Sequence, residues 1–145
     1  MKSVETTDHE DTVYVGRLGV YSVDRSKDST IWVTPSINGA QLRMELDTGS
    51  AVSIISKGDY QRLLPHLKLH ATHVKLQTYT GEKVTPVGLL HVNIEYRGQQ
   101  HHGQLYVVER GGPALFGRDW RTHISWTGRI FWQCLRNTML TLRLS

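Results

Sequence analysis

RMELDTGSAVSII, residues 43–55, places one acid, Asp47, between two apolar stretches and follows it with the small residues Thr48, Gly49 and Ser50. Asp, Thr and Gly are common turn formers, so the triplet alone fits an ordinary turn. The apolar context adds a requirement, because a buried carboxylate is costly unless it is hydrogen-bonded or protonated. The stretch therefore predicts two strands joined by a turn, with a dedicated partner for Asp47.

The segment before the acid alternates between apolar and polar residues. Its two predicted faces are Leu42, Met44 and Leu46 on one side and Gln41, Arg43 and Glu45 on the other. A period of two predicts a half-buried strand that ends at Asp47. Upstream, Asn38-Gly39 predicts a tight hairpin turn after IWVTPSI.

The rest of the chain also favours strands over helices. Further strands are predicted within 12–23, 51–56, 74–79, 83–96, 104–108 and 114–116, and a helical turn or two is predicted between Lys57 and Pro65. A short helix is expected after Gly117, a residue that permits close packing. The pattern predicts an all-β class with short strands and many turns.

Composition limits the compartment and the partners. With 145 residues the chain suits one domain or one domain plus a tail, and the single cysteine, Cys134, excludes an internal disulfide. The N-terminus has no apolar signal segment, so a cytoplasmic protein is expected. The net charge of +4 fits either a soluble surface or contact with RNA or an acidic partner.

The eight histidines raise the question of a metal site. His101 and His102 are adjacent, so in a strand they point to opposite faces. The sequence has no HExxH motif, one cysteine cannot form a zinc knuckle, and no GxSxG pattern is present. We therefore predict no metal and no cofactor.

ELDTGSAVSII (45–55), followed by PALFGRDW (113–120), resembles the retropepsin-type aspartic proteases, and most of all those of gypsy-type long-terminal-repeat retrotransposons. In that family an Asp-Thr-Gly-Ser/Ala strand end carries the catalytic acid, and an apolar-apolar-Gly-Arg motif follows later. The resemblance covers roughly residues 30–131. It implies a retropepsin-like acid protease, a closed all-β barrel with a flap hairpin and one short C-terminal helix, acting as a homodimer.

The resemblance implies a reaction with two carboxylates, one ionised and one protonated, because like charges about 3 Å apart cannot both ionise. One acid activates a water while the other protonates the peptide carbonyl. The chain has one Asp-Thr-Gly and no internal repeat. The expected partner of Asp47 is therefore Asp47 of a second copy, across a two-fold axis.

The family also implies roles for the neighbouring residues. Thr48 would hydrogen-bond across the dimer, and Gly49 would let the substrate backbone approach. Ser50 would either bond the Asp47 carboxylate or act as an ordinary turn hydroxyl. Arg118 would support the active-site loop or the dimer, the alternative being a surface-paired arginine.

The flap is expected within residues 76–88, with its tip at Tyr79, Thr80, Gly81 and Glu82; the alternative is a plain surface hairpin. Related proteases often have an apolar residue where this chain has Arg121, so this chain departs from the family pattern at the end of the short helix.

The predicted organisation is a flexible polar leader with a possible strand (1–29), a retropepsin-like protease domain (30–131) and a C-terminal extension or interface strand (132–145). The expected function is an aspartic endopeptidase that cuts a retroelement polyprotein held in an extended conformation, in the cytoplasm or within virus-like particles. Two alternatives are a catalytically silent dimerisation module and a basic RNA-binding domain. No membrane partner is expected, and a polypeptide partner is favoured over a nucleic acid.

Overall fold

The computed structural model describes residues 12–16, 30–78, 80–109 and 112–126. The described strands are β1 (Thr12–Gly16), β2 (Trp32–Val33), β3 (Ser36–Ile37), β4 (Ala40–Gln41), β5 (Met44–Leu46), β6 (Ile54–Ser56), β7 (Lys75–Thr78), β8 (Lys83–Val84), β9 (Gly88–Tyr96), β10 (Gln99–Val108) and β11 (Ala114–Phe116). The described helices are α1 (Lys57–Leu63) and α2 (Arg118–Arg121). The predicted all-β class is confirmed.

Most of these strands belong to one curled sheet. Its strand order is β2-β5-β11-β6-β10-β9-β3-β4, and a smaller sheet has the order β1-β7-β8. The long hairpin β9–β10 is antiparallel along its whole length, from Tyr96 opposite Gln99 to Gly88 opposite Val107. The Asp-Thr-Gly stretch follows β5, in the part of the large sheet where β5, β11 and β6 are neighbours and β6 lies beside β10.

Among the described residues, the buried apolar side chains form two clusters. The larger cluster includes Met44, Leu105, Phe116 and Trp120, all with no exposed surface. The Phe116 and Trp120 rings meet edge to face with centroids 5.3 Å apart. The smaller cluster forms around Ile54 and Leu76, between the β7–β8 hairpin and the large sheet.

Two local predictions are confirmed. Asn38 and Gly39 have φ angles of 49° and 90°, as the predicted tight turn between β3 and β4 requires. Helix α1 begins where the Ser56 hydroxyl accepts a hydrogen bond from the backbone N–H of Asp59 at 3.1 Å. The helix ends before Pro65.

The predicted polar face of the strand before Asp47 is wrong at one position. Arg43 is exposed, but Glu45 is only 7% exposed. Strand β5 lies inside the sheet, between β2 and β11, and pairs in parallel with β11, an arrangement in which strands are commonly covered on both faces.

The predicted strand 83–96 divides into β8 and β9, with Pro86 in the gap; proline lacks the N–H that a continuous ladder needs. The expected leader at 1–29 falls within the described residues only at 12–16. The expected C-terminal extension at 132–145 lies outside them.

Candidate active site

Asp47 lies directly after β5, half-buried. Its backbone N–H donates to the carbonyl oxygen of Phe116 at 3.0 Å. This bond continues the parallel pairing of β5 with β11, in which Leu46 lies opposite Phe116. The acid is thus held at the end of two paired, buried strands rather than on an unsupported turn.

Residues 47–53 form a tight loop, here named the Asp47 loop, between β5 and β6. The backbone N–H of Gly49 donates to the Asp47 Oδ1 at 2.9 Å, and the N–H of Ser50 donates to the Asp47 carbonyl at 3.2 Å. A hydrogen bond to a carboxylate oxygen stabilises its ionised form and fixes its direction. A Cβ on Gly49 would lie 3.2 Å from that oxygen, so glycine keeps the carboxylate uncrowded.

Strand β11 explains why the loop has this position. It runs parallel to β5 on one side and antiparallel to β6 on the other, where Leu115 lies opposite Ile54. The two strands that flank the Asp47 loop therefore do not pair with each other, and the loop passes over the end of β11. Ala114, Leu115 and Phe116 are all buried, as predicted for an inner strand beneath the loop.

Gly117, directly after β11, lies against the backbone of the loop. A Cβ at this residue would be 2.3 Å from the carbonyl oxygen of Val52 and 2.9 Å from that of Ser50. No real Cβ contact is that short, so only glycine permits this approach. The close packing predicted for this glycine is confirmed.

A polar bridge that the sequence did not predict ties the loop to α2. The Ser53 hydroxyl donates to the Asp119 Oδ1 at 2.8 Å and accepts from the backbone N–H of Gly117 at 2.9 Å. Asp119 also accepts from the N–H of Ser53 and the N–H of Trp120. Burial raises the pKa of the Asp119 carboxyl above its usual value, and these hydrogen bonds oppose that rise. Ser53 and Asp119 are 66 positions apart in the sequence, and no local pattern indicates that they pair.

The predicted flap region is a β-hairpin. Strands β7 and β8 are antiparallel, and the N–H of Thr78 donates to the carbonyl of Glu82 at 2.8 Å. Gly81 has a φ angle of +93°, which glycine adopts without strain. Thr80, Gly81 and Glu82 are exposed at the tip, and Tyr79 lies outside the described residues.

The profile of the family described as aspartyl protease matches residues 33–120, which includes the Asp47 loop, the hairpin and β11. The chain belongs to the aspartyl protease family.

Comparison with solved structures identifies the fold. The EIAV protease complexed with the inhibitor HBY-793 is 19% identical, with 75% of this chain and 99% of that chain covered and a TM-score of 0.57. That likeness shows the retropepsin fold.

Two further structures are more distant. The retroviral protease-like domain of Ddi1 from Leishmania major is 19% identical (64% and 75% covered, TM-score 0.48). A retropepsin-like aspartic protease from Rickettsia conorii is 20% identical (70% and 77% covered, TM-score 0.48). A comparison with curated protein sequences gives no significant match.

Within this aspartyl protease family member, Ser50 and Arg118 both brace the loop. The Ser50 side chain is fully buried and its hydroxyl donates to the carbonyl oxygen of Val52 at 2.6 Å. This is the contact of a turn hydroxyl, the second of the two roles considered for Ser50. The backbone N–H of Arg118 donates to the Ser50 carbonyl at 2.8 Å, so Arg118 supports the loop through its main chain.

Thr48 and Arg121 are two further residues that the sequence singled out. Thr48 is 8% exposed, and its hydrogen bond across a dimer stays a prediction. Arg121, the residue that departs from the family pattern, has a buried Nε atom without a hydrogen-bond partner among the described residues. Its carbonyl accepts from the Trp126 indole N–H at 3.1 Å, so the helix end is covered by an aromatic ring.

The described part of the chain lacks two features. No group of three or more His, Cys, Asp or Glu side chains is placed to hold a metal ion. None of the described helices has the length and apolarity needed to cross a membrane.

Proposed function

We propose that this chain is an aspartic endopeptidase whose reaction centre forms when two copies place their Asp47 carboxylates together. The observation that supports the proposal most is the Asp47 loop itself. Its carboxylate accepts a hydrogen bond from Gly49, and the loop is fixed by contacts from β11 and α2. A catalytic carboxylate needs such rigid placement, whereas an ordinary aspartate in a turn does not need it.

The proposed reaction uses the two carboxylates in different protonation states. One Asp47 takes a proton from a water molecule, which attacks the peptide carbonyl carbon. Asp47 of the partner subunit donates its proton to the carbonyl oxygen, giving a tetrahedral gem-diol. The first Asp47 then gives its proton to the leaving nitrogen, the partner's Asp47 takes a proton back from a gem-diol hydroxyl, and the C–N bond breaks to give an acid and an amine. The two titrations belong to the pair and not to either residue.

A second copy is required because the chain carries a single Asp-Thr-Gly. An isologous interface places a residue near the axis opposite its own copy. Thr48, next to the acid, would then bond its counterpart and stiffen both loops. A catalytically silent module with this fold would keep the interface but not the cleavage, and the experiments below separate the two.

The proposed substrate is a polypeptide in extended conformation, held between the β7–β8 hairpin and the Asp47 loop. We name this space the substrate groove. Extended peptides suit it because main-chain hydrogen bonds can add a strand while side-chain pockets select residues. A retroelement polyprotein, in the cytoplasm or in virus-like particles, is proposed on the resemblance of the two motifs to gypsy-type proteases.

The first experiment compares Asp47→Asn with Asp59→Asn in cleavage of fluorescein-labelled denatured casein. Asp59 is a matched control, because its side chain forms a surface ion pair with Arg62 on α1. We expect Asp47→Asn to abolish cleavage and Asp59→Asn to leave it unchanged. Equal cleavage by parent and Asp47→Asn would refute the enzymatic proposal.

The second experiment tests the shared centre. Parent protein is mixed with a tenfold excess of the Asp47→Asn variant, at a concentration where sedimentation shows a dimer. If subunits exchange at random, roughly a tenth of parent subunits remain paired with each other, and activity falls to about that fraction. A tenfold excess of Asp59→Asn should instead raise activity. If the added Asp47→Asn variant leaves the activity of the parent unchanged, a single chain is sufficient for cleavage.

A further inference from the structure

Strand β1 lies between the β7–β8 hairpin and the Asp47 loop. Along one edge it pairs in parallel with β7, with Val13 opposite Leu76 and Tyr14 opposite Gln77. On its other side, the Tyr14 carbonyl accepts a hydrogen bond from the backbone N–H of Ala51 at 3.0 Å. Ala51 belongs to the loop that carries Asp47. The strand therefore uses main-chain bonds to connect the two walls of the substrate groove.

Two neighbouring side chains of β1 differ sharply in exposure, and Val13, on the face of Val15, is half-buried against the same apolar cluster. Tyr14 is 48% exposed, whereas Val15 has no exposed surface. The pocket around Val15 is apolar and comes from the hairpin, the loop side of the sheet and β11: Ile54, Leu76, Tyr106, Val108 and Leu115. Leu115 precedes Phe116, whose carbonyl accepts from the N–H of Asp47.

This arrangement has the properties of a bound extended peptide. Strand addition gives affinity through backbone hydrogen bonds and specificity through a pocket for one side chain. Here β1 has bonds toward both walls and one buried aliphatic side chain, within a few residues of the proposed catalytic acid. A substrate in the same space would need the same Ala51 N–H and the same pocket.

We infer that β1 occupies the substrate groove as an intramolecular ligand, so that a peptide substrate must displace it. The inference rests on the proposed function, because it takes this groove to be the place where substrates bind. A tethered segment competes for the groove at an effective concentration of about the millimolar range, so a free peptide of modest affinity is largely excluded from the groove. The Val15 pocket would then favour a small aliphatic side chain in a substrate.

The test replaces one residue of β1 and leaves the rest of the chain intact. Val15→Asp puts a charge into the apolar pocket and should release β1, while Tyr14→Asp makes the same change at the adjacent, exposed side chain. Both are made in full chains that also carry Asp47→Asn, which prevents cleavage of the probe. The probe is a fluorescein-labelled peptide of residues 11–17, DTVYVGR, and its binding is followed by anisotropy.

We expect the peptide to bind the Val15→Asp chain at least about tenfold more tightly than the Tyr14→Asp chain or the Asp47→Asn parent. A peptide in which the valine at the position of Val15 is aspartate should not bind any of them. Equal affinity for all three chains would overturn the inference, and so would equal binding of the two peptides.

A milder variant covers the case in which Val15→Asp does not fold, as judged by thermal unfolding. Val15→Ser retains a small side chain and weakens the pocket contact only in part. We expect faster hydrogen exchange at the β7 amides in this variant than in Tyr14→Asp, together with tighter peptide binding. Unchanged exchange and unchanged binding would overturn the inference.

Cleavage assays with Asp47 intact separate the inference from the proposed function. If no variant cleaves casein but Val15→Asp binds the peptide more tightly, the proposed function fails and the occupied groove stands. If the parent cleaves casein while Val15→Asp neither binds nor cleaves better, the occupied groove fails and the proposed function stands.

Discussion

Gly117→Ala is the sharpest test of how the Asp47 loop is held. The substitution adds one methyl group where a Cβ would lie 2.3 Å from the Val52 oxygen, 2.5 Å from the Val52 carbonyl carbon and 2.9 Å from the Ser50 oxygen. Ordinary van der Waals contacts begin at 3.4 Å, so the loop and β11 must separate by roughly 1 Å. The obstructing atoms belong to the backbone and cannot rotate away as a flexible side chain would.

The cost follows from what that separation breaks. Overpacking in a rigid site costs about 1–3 kcal/mol. The separation also lengthens the bonds from Gly117 N–H to the Ser53 hydroxyl (2.9 Å) and from Arg118 N–H to the Ser50 carbonyl (2.8 Å). Each is worth about 1 kcal/mol. We therefore expect the free energy of unfolding to fall by about 3 kcal/mol or more.

Urea unfolding followed by tryptophan fluorescence measures this change. With a slope of about 1–3 kcal/mol per molar urea, the midpoint should fall by about 1–3 M. Gly58→Ala is the matched control, because a Cβ there would have only the Ser56 Oγ at 3.9 Å and would stabilise α1 by up to about 1 kcal/mol. A Gly117→Ala midpoint at or above that of the parent would refute the described contact between loop and strand.

Three further predictions concern the support of the site. Ser53→Ala removes both bonds of its hydroxyl and should lower the free energy of unfolding by about 1–3 kcal/mol, measured by urea unfolding; an unchanged midpoint would mean that the bridge to Asp119 contributes nothing. Trp120→Phe removes the indole N–H that donates to the Gln104 carbonyl at 3.0 Å, and should cost a similar amount; a thermal midpoint equal to that of the parent would contradict this. Burial raises the pKa of Asp119 in the folded state, so the folded chain holds this proton more tightly than the unfolded chain. The stability that Asp119 contributes is then complete below its unfolded pKa of about 3.9 and is lost as pH rises through the folded value. The difference in unfolding free energy between the parent and Asp119→Asn should shift against the parent over that window, and a difference independent of pH would contradict the raised pKa.

Local patterns in the sequence predicted the elements that depend on neighbouring residues. The Asn38-Gly39 turn, the helix capped by Ser56 and the buried strand at 114–116 were predictable, because turns, caps and alternating strands are set by residues a few positions apart. The β7–β8 hairpin was predicted from its position between the two motifs and from Gly81. The two family motifs, at 45–55 and 113–120, were also visible in the sequence, because each is a short contiguous stretch.

Positions that depend on sheet order were not predictable in this way. Glu45 alternates correctly for an exposed residue, yet it is buried in a strand whose neighbour, β11, lies nearly seventy residues away in the sequence. The Ser53–Asp119 bridge likewise joins residues that approach each other only when β6 and β11 are neighbours. The N-terminal strand was predicted as a strand, but nothing in residues 12–16 indicated that it would pair with β7.

The sequence by itself determined that Asp47 ends a buried strand on a turn of small residues, because side-chain periodicity and backbone preference act over a few residues. Only the tertiary structure decided what surrounds that acid: the β11 strand beneath it, the bridge from α2, and the N-terminal strand between the loop and the hairpin. These contacts join segments far apart in the chain, and they form because the curled sheet buries more apolar surface in this strand order than any single segment can bury alone.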